Sequence, residues 1–507
     1  MMNTKRAVAA FFVIAAVVSS VKAELKLASV FTDGIVVQQG IELPIWGTAT
    51  AGTSVEVRFA GQSVSAEAGQ GGNWRAKLKP CSANATGTQL HVVDSQTNLT
   101  VQDVLVGEVW LAAGQSNMQM TVQSMVGKLP QLQQWVDKAK QPTIRFLRIN
   151  EPVAGGRRTD FGSPVSWQAC DPESAKHFSA VSWIFARRLQ QKLDVPVGII
   201  DVSWGGKPIE PFIPGEAFEQ HPLLQEIKRL ADENQLKELA ELEGGVIIRN
   251  PEGYPGAIYD ARIRPLEGFG LRGFLWYQAE SNCGNGEDPR GYRHKMQTLT
   301  NSWRDAWNNP DLPLYFVQLP NYRPETFGWI RMREEQRRSL TTKNTAMVVA
   351  IDTGSDDIHP ANKVDVGERL AELALNRNYG RHIVDSGPLY EQHTVVGDEV
   401  TVRFLFAESG LMLAEKNELE QPQPADGAQT VPYFELAGAD GLWYPAEAKI
   451  SGRTVKVISE HVPEPQEVRY CCRNDPTGAL LYNRAGLPAS PFCSKLEWLP
   501  WHREAGE

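Results

Sequence analysis

The chain has 507 residues, 42% of them hydrophobic and 22% charged, a length that fits about three domains. Its net charge of −9 argues against nucleic acid or anionic lipid as a partner. None of the six cysteines lies in a CxxC motif or a Cys/His cluster with metal-ligand spacing, so no cysteine metal site is expected, whereas the acidic pair Asp356-Asp357 leaves a cation-dependent hydrolase as a competing class.

The chain opens with Lys5 and Arg6 before an apolar run over 7–18, followed by Val21-Lys22-Ala23. This is the pattern of a cleavable secretory signal over residues 1–23, and the apolar run is short for a membrane span. Its removal would deepen the net charge from −9 to −12. The expected location is therefore secreted or periplasmic, with no membrane association after cleavage. An exported chain is permitted disulfides. In the vicinal pair Cys471-Cys472, one member is expected to bond a distant cysteine, with Cys493 the first candidate.

Residues 24–105 read as a small β domain. Short alternating runs such as Ser54-Val55-Glu56-Val57-Arg58-Phe59 are separated by turn-rich clusters such as 69–73. Residues 106–378 change to apolar runs alternating with amphipathic helices, the pattern of a parallel α/β sheet. Five buried strands are expected, at 108–113, 195–203, 273–277, 314–319 and 346–352. Helices are expected at 180–193, 223–242 and 366–377. Residues 379–507 return to β-like runs (400–406, 454–458, 467–470) and read as a second β domain.

The first expected strand ends in Gly114-Gln115-Ser116-Asn117. Gly114 permits a tight turn, and Ser116 stands where open α/β sheets bind ligands. Alone, the serine reads equally well as a helix N-cap. Three more strand ends weigh against that: Trp204-Gly205-Gly206-Lys207, Gln278-Ala279-Glu280-Ser281-Asn282, and Asp352 through Asp356-Asp357-Ile358-His359-Pro360. In a parallel sheet these ends share one edge and can converge.

Together they carry what acyl transfer needs. Ser116 is a nucleophile once a base takes its proton. His359 is the candidate base, and Asp356 or Asp357 lies close enough in sequence to orient its ring. The Ser116 amide, a Gly205 or Gly206 amide and the Asn282 side chain are candidate oxyanion donors. Gln115, Gln278 and Glu280 are candidate supporting or substrate-binding residues.

These segments resemble the SGNH hydrolase superfamily, and more closely the sialate O-acetylesterase family. The resemblance is carried by Gly114-Gln115-Ser116-Asn117-Met118, Ser203-Trp204-Gly205-Gly206 with Pro208-Ile209-Glu210, Trp276-Tyr277-Gln278 with Glu280-Ser281-Asn282, and Ile358-His359-Pro360 with Asn362-Lys363. It extends to Val36-Val37-Gln38-Gln39 and to Leu481-Tyr482-Asn483. It implies an SGNH-like α/β domain with N- and C-terminal β domains. It makes Ser116 the nucleophile and His359 its base, and puts Gly205 and Asn282 in the oxyanion hole. Asp356, three residues before the histidine, is selected as the third member. The implied activity is metal-free removal of acetyl groups from sugars, sialic acids first. Acetylated xylan or another glycan, or a non-catalytic glycan-binding protein on the same scaffold, are the alternatives.

The chain departs from the family pattern at Ala279, where glycine is usual, at Lys207, often threonine, and over Asp260-Ala261-Arg262-Ile263-Arg264. Lys207, Arg262 and Arg264 attract a carboxylated sugar if they face the cleft, and are salt-bridging residues if they do not. Oligomeric state is not readable from these residues.

Overall fold

The computed structural model describes residues 24–153, 155–324, 327–354, 356–425 and 430–501; the expected signal segment 1–23 lies outside them. The organising element is β1 (Asn98–Gly114), a strand of 17 residues. Its outer half pairs antiparallel with Asn84–Val93. Its inner half is continuously buried and pairs in parallel with strands on both sides. One sheet therefore runs unbroken through residue 105, where a domain boundary is expected.

Beyond β1 come β2 (Gln141–Arg148), β3 (Trp167–Cys170), β4 (Val197–Asp201), β5 (Gly273–Tyr277), β6 (Leu314–Val317) and β7 (Thr345–Val348). Their spatial order is β3-β2-β4-β1-β5-β6-β7. All neighbours are parallel except β3, an antiparallel edge strand. The strands β2 and β3 are additions to the five expected. β2 hides its nature because Pro142 and Arg145 interrupt its apolar run. Arg145 is only 8% exposed, its charge being met by Asp103 at 2.8 Å and the Pro142 carbonyl at 2.6 Å.

The sheet separates two apolar layers because successive side chains of a strand point to opposite faces. Trp110 and Ala112 of β1 face one layer with Phe185, Tyr315 and Leu370. Leu111 and Ala113 face the other with Phe274, Trp276 and Trp303. Four helices cover these faces: α1 (Ala180–Leu193), α2 (Tyr292–Ala306), α3 (Phe327–Arg338) and α4 (Lys363–Tyr379). Ser179 caps α1 by accepting the Ser182 amide, and Asp194 ends it in a left-handed conformation. Asn362 caps α4 through the Asp365 amide, and Gly380 (φ +63°) closes it. The single helix expected over 223–242 is two, Pro222–Asp232 and Leu236–Leu242. The break coincides with Asn234 at φ +54°.

The C-terminal part forms three antiparallel sheets and is tied back to the α/β core. Arg333 of α3, 1% exposed, donates to the carbonyls of Leu319, Pro320, Arg473 and Asn474. Asn321 donates to Asp475 at 2.8 Å. A loop at the sheet's carboxyl edge is thus braced from the C-terminal region. All six cysteines are free thiols in this structure, Cys493 included.

Candidate active site

The sheet order reverses around β1, with β4 on one side and β5 on the other, and the site forms at the carboxyl ends of these strands. A cleft of about 530 Å³ there is lined by Gln115, Ser116, Gly205, Gly206, Lys207, Arg249, Glu280, Ser281, Tyr322 and His359, among others.

Ser116 is held by backbone geometry. Gly114 has φ +133°, and a Cβ there would come within 2.1 Å of the Tyr277 carbonyl oxygen, so only glycine fits. The Gln115 amide then donates to that same carbonyl at 3.0 Å. Ser116 begins the short helical turn Ser116–Gln119, where the first amides have no partner inside the helix. The Ser116 hydroxyl lies 2.8 Å from His359 Nε2. The residues expected to be nucleophile and base are in contact, although 243 positions separate them.

The Asp356 expectation requires correction. Its carboxylate is turned to Arg323, at 2.8 and 2.9 Å. The carboxylate nearest the imidazole is that of Asp357, 3.6 Å from His359 Nδ1. Asp357 also accepts the His359 amide at 2.8 Å and pairs with Lys128. Burial and the positive charge of Lys363 and Lys128 hold the His359 pKa below its ordinary value of 6.5, against an upward pull from Asp357. At neutral pH the imidazole is therefore the uncharged form that can accept a proton.

The expected oxyanion donors also divide. Gly205 abuts Ser116: a Cβ there would sit 3.5 Å from that of Ser116. Its amide donates to Gln119 Oε1 at 2.8 Å. Asn282 is turned away from the cleft. Its amide group donates to both oxygens of Glu210, at 3.1 and 3.2 Å. Its Oδ1 accepts from Gln278 at 2.8 Å and from the Ile209 amide at 3.0 Å. The reason is local demand: Glu210 is wholly buried, and a buried carboxylate must be hydrogen-bonded. Lys295 of α2 supplies its charge at 2.6 Å.

The glutamines tie β1 to β5. Gln115 Oε1 accepts from Gln278 and from the Ser281 amide, both at 3.1 Å. Gln278 accepts in turn from the Tyr292 hydroxyl at 2.7 Å. Glu280 is 3% exposed, bonded to Asn117 and to the Ala279 amide at 3.0 Å. Ala279 itself has φ +157° and ψ −18°, outside the regions that residues with a Cβ ordinarily adopt.

Of the three basic departures only Lys207 lines the cleft. Its Nζ donates to Asn250 at 2.9 Å, and burial lowers its pKa. Arg262 is 4% exposed, stacked 3.8 Å over Trp204 and bonded to the Glu151 and Ser203 carbonyls at 2.9 Å. Arg264 is taken up by Asp260, Glu216 and Glu267. Neither faces substrate space. Arg249 does, with its side chain 62% exposed and 3.5 Å from Glu287. Sequence reasoning missed Arg249 because it lies in an irregular segment, away from every strand end.

A parallel α/β sheet with a serine–histidine contact at its carboxyl edge has the form of an esterase-type hydrolase. A family model described as carbohydrate esterase, sialic acid-specific acetylesterase, matches residues 106–376. The rat sialate O-acetylesterase is 30% identical over 397 residues, 68% of this chain and 72% of that protein. The mouse sialate O-acetylesterase is 29% identical over 523 residues, covering 89% of this chain and 91% of its own. The crystal structure of a carbohydrate acetylesterase from Xanthomonas citri superposes with a TM-score of 0.79 at 30% identity, over 93% of this chain and 99% of that one. The chain belongs to the sialic acid-specific acetylesterase family of carbohydrate esterases.

Proposed function

We propose that this esterase removes O-acetyl groups from sialic acids through an acetyl-serine intermediate. The observation that carries the reading is the 2.8 Å contact between Ser116 Oγ and His359 Nε2 on the wall of a cleft of about 530 Å³. Ser116 Oγ attacks the acetyl carbonyl carbon while His359 Nε2 takes its proton. The tetrahedral intermediate collapses, and the departing sugar oxygen receives that proton from His359. His359 then deprotonates water, which attacks the acetyl-serine, and returns that proton to Ser116 Oγ as acetate leaves.

The Ser116 amide serves as one oxyanion donor. The Gly205 amide serves as the second when the substrate oxygen replaces Gln119 Oε1. Asp357 orients the imidazole. Lys207 and Arg249 supply the positive charge that a carboxylated sugar requires, and the names of the rat and mouse relatives support that choice. An exported location, read from residues 1–23, accords with a glycan substrate.

Acetate release from a panel of O-acetylated sialic acids and acetylated xylo-oligosaccharides, by wild type and Ser116→Ala, tests the reading. Wild type should act on the sialic acids, and Ser116→Ala should lose about a million-fold in kcat. Equal, negligible release from both proteins would sink the reading. Release from neutral glycans alone would keep the mechanism and move the substrate.

A further inference from the structure

Lys363 is a buried cation that this mechanism does not use. It is the first residue of α4 and 1% exposed. Both facts are costly: a lysine at a helix N-terminus opposes the helix dipole, and a buried ammonium loses its hydration. Its Nζ donates to Asn117 Oδ1 and lies 5.5 Å over the Tyr277 ring. The Asn117 amide group donates to Glu280 and to the Ile358 carbonyl at 3.0 Å. Asn117 follows the proposed nucleophile, and Ile358 precedes the proposed base. One amide thus links a buried cation, a buried carboxylate, the serine turn and the histidine loop.

We propose that Lys363 is a positioning residue which, with Asn117 and Glu280, clamps the serine turn to the histidine loop and sets the pH below which His359 is protonated. The inference rests on the esterase mechanism proposed above. The charged and titratable groups facing His359 are Lys363, Asp357 and Lys128. Those facing Lys363 are Glu280, Lys128 and Asp357, with the Tyr277 phenol beneath its Nζ. Burial lowers the Lys363 pKa to about 7 and raises that of Glu280, while each opposes the other's shift. A positive neighbour opposes protonation of the imidazole and a negative neighbour favours it. Lys363 therefore holds the His359 pKa down, and Glu280 acts on His359 through Lys363, by keeping that ammonium charged.

The test is the pH profile of kcat/KM on an aryl acetate for Lys363→Met, Glu280→Gln and the double variant, with the His359 ring titration followed by NMR. Lys363→Met should move the acidic limb and the ring titration up by about one pH unit. Glu280→Gln should move both up as well, because Lys363 then loses its proton more readily, and the double variant should match Lys363→Met. A uniform fall in kcat with no displaced limb, or shifts of opposite sign in the two single variants, overturns the proposal. If Lys363→Met fails to fold, the Glu280→Gln titration decides alone, an upward shift supporting the clamp and a downward shift or none refuting it. An inactive wild type with the upward NMR shifts intact would refute the esterase reading and leave the clamp standing.

Discussion

The serine side and the histidine side of the cleft are built on different physics. The serine turn is fixed by backbone: Gly114 at φ +133° lies against the Tyr277 carbonyl, between the continuously buried inner half of β1 and the buried β5. The histidine loop is fixed by side chains. His359 is held by Asp357, itself 45% exposed, and by Lys128, 37% exposed. The first arrangement tolerates no change of shape, whereas the second can be retuned residue by residue without loss of the fold. That asymmetry suits a reaction in which one atom must be placed and one proton must move.

Gly114→Ala would break the contrast at its rigid end. A Cβ 2.1 Å from the Tyr277 oxygen cannot be accommodated without displacing β5. A loss of about 3 kcal/mol or more is expected, visible as a large drop in the urea midpoint or as insoluble protein. A midpoint near wild type would show the turn to be less constrained than its backbone implies. His359→Ala should do the reverse. We expect it to lose about 1,000-fold in kcat while melting near wild type. In the intact enzyme, kcat/KM should fall as pH drops through the depressed His359 pKa, below 6.5, because the protonated ring accepts no proton from serine. An acidic limb centred above 6.5, or one unchanged in a variant without the imidazole, would remove the imidazole from the mechanism.

The same contrast explains what could be read from sequence. The serine turn was legible because its determinants are contiguous: an apolar strand, a glycine and a polar turn. Which carboxylate stands beside the imidazole was not. A spacing of three residues favours Asp356, but Arg323 takes up Asp356 and Lys128 pairs with Asp357, and neither cation is local to the motif. Asn282 was legible as a strand-end residue, yet its direction is set by Glu210, 72 positions away. Arg262 and Arg264 read as charges without an address. Burial on Trp204 decides the first, and a carboxylate cluster decides the second. Local backbone chemistry was readable, whereas the pairing of long polar side chains was not.

The orienting carboxylate is the next place to sharpen the comparison. Asp357→Asn should lower kcat by no more than about tenfold, because a half-exposed carboxylate is screened by water. Asp357 pulls the His359 pKa upward, so its removal should move the acidic limb to lower pH. Asp356→Asn, with its side chain 66% exposed and paired to Arg323, should stay within about twofold. A larger loss from Asp356→Asn than from Asp357→Asn would reverse the assignment.

The smallest effect returns to the rigid side. Ala279 holds φ +157° and ψ −18° at the end of β5, beside the Glu280 carboxylate that accepts its amide at 3.0 Å. For alanine this conformation stores strain of about 1–3 kcal/mol. Ala279→Gly releases that strain but adds about 0.5–1 kcal/mol of chain entropy to the unfolded state. The net expectation is a gain of about 1 kcal/mol in urea unfolding with kcat unchanged. A destabilised Ala279→Gly protein would mean that the buried methyl group's packing outweighs the strain, and that strand-end rigidity comes from side chains on this side of the cleft as well.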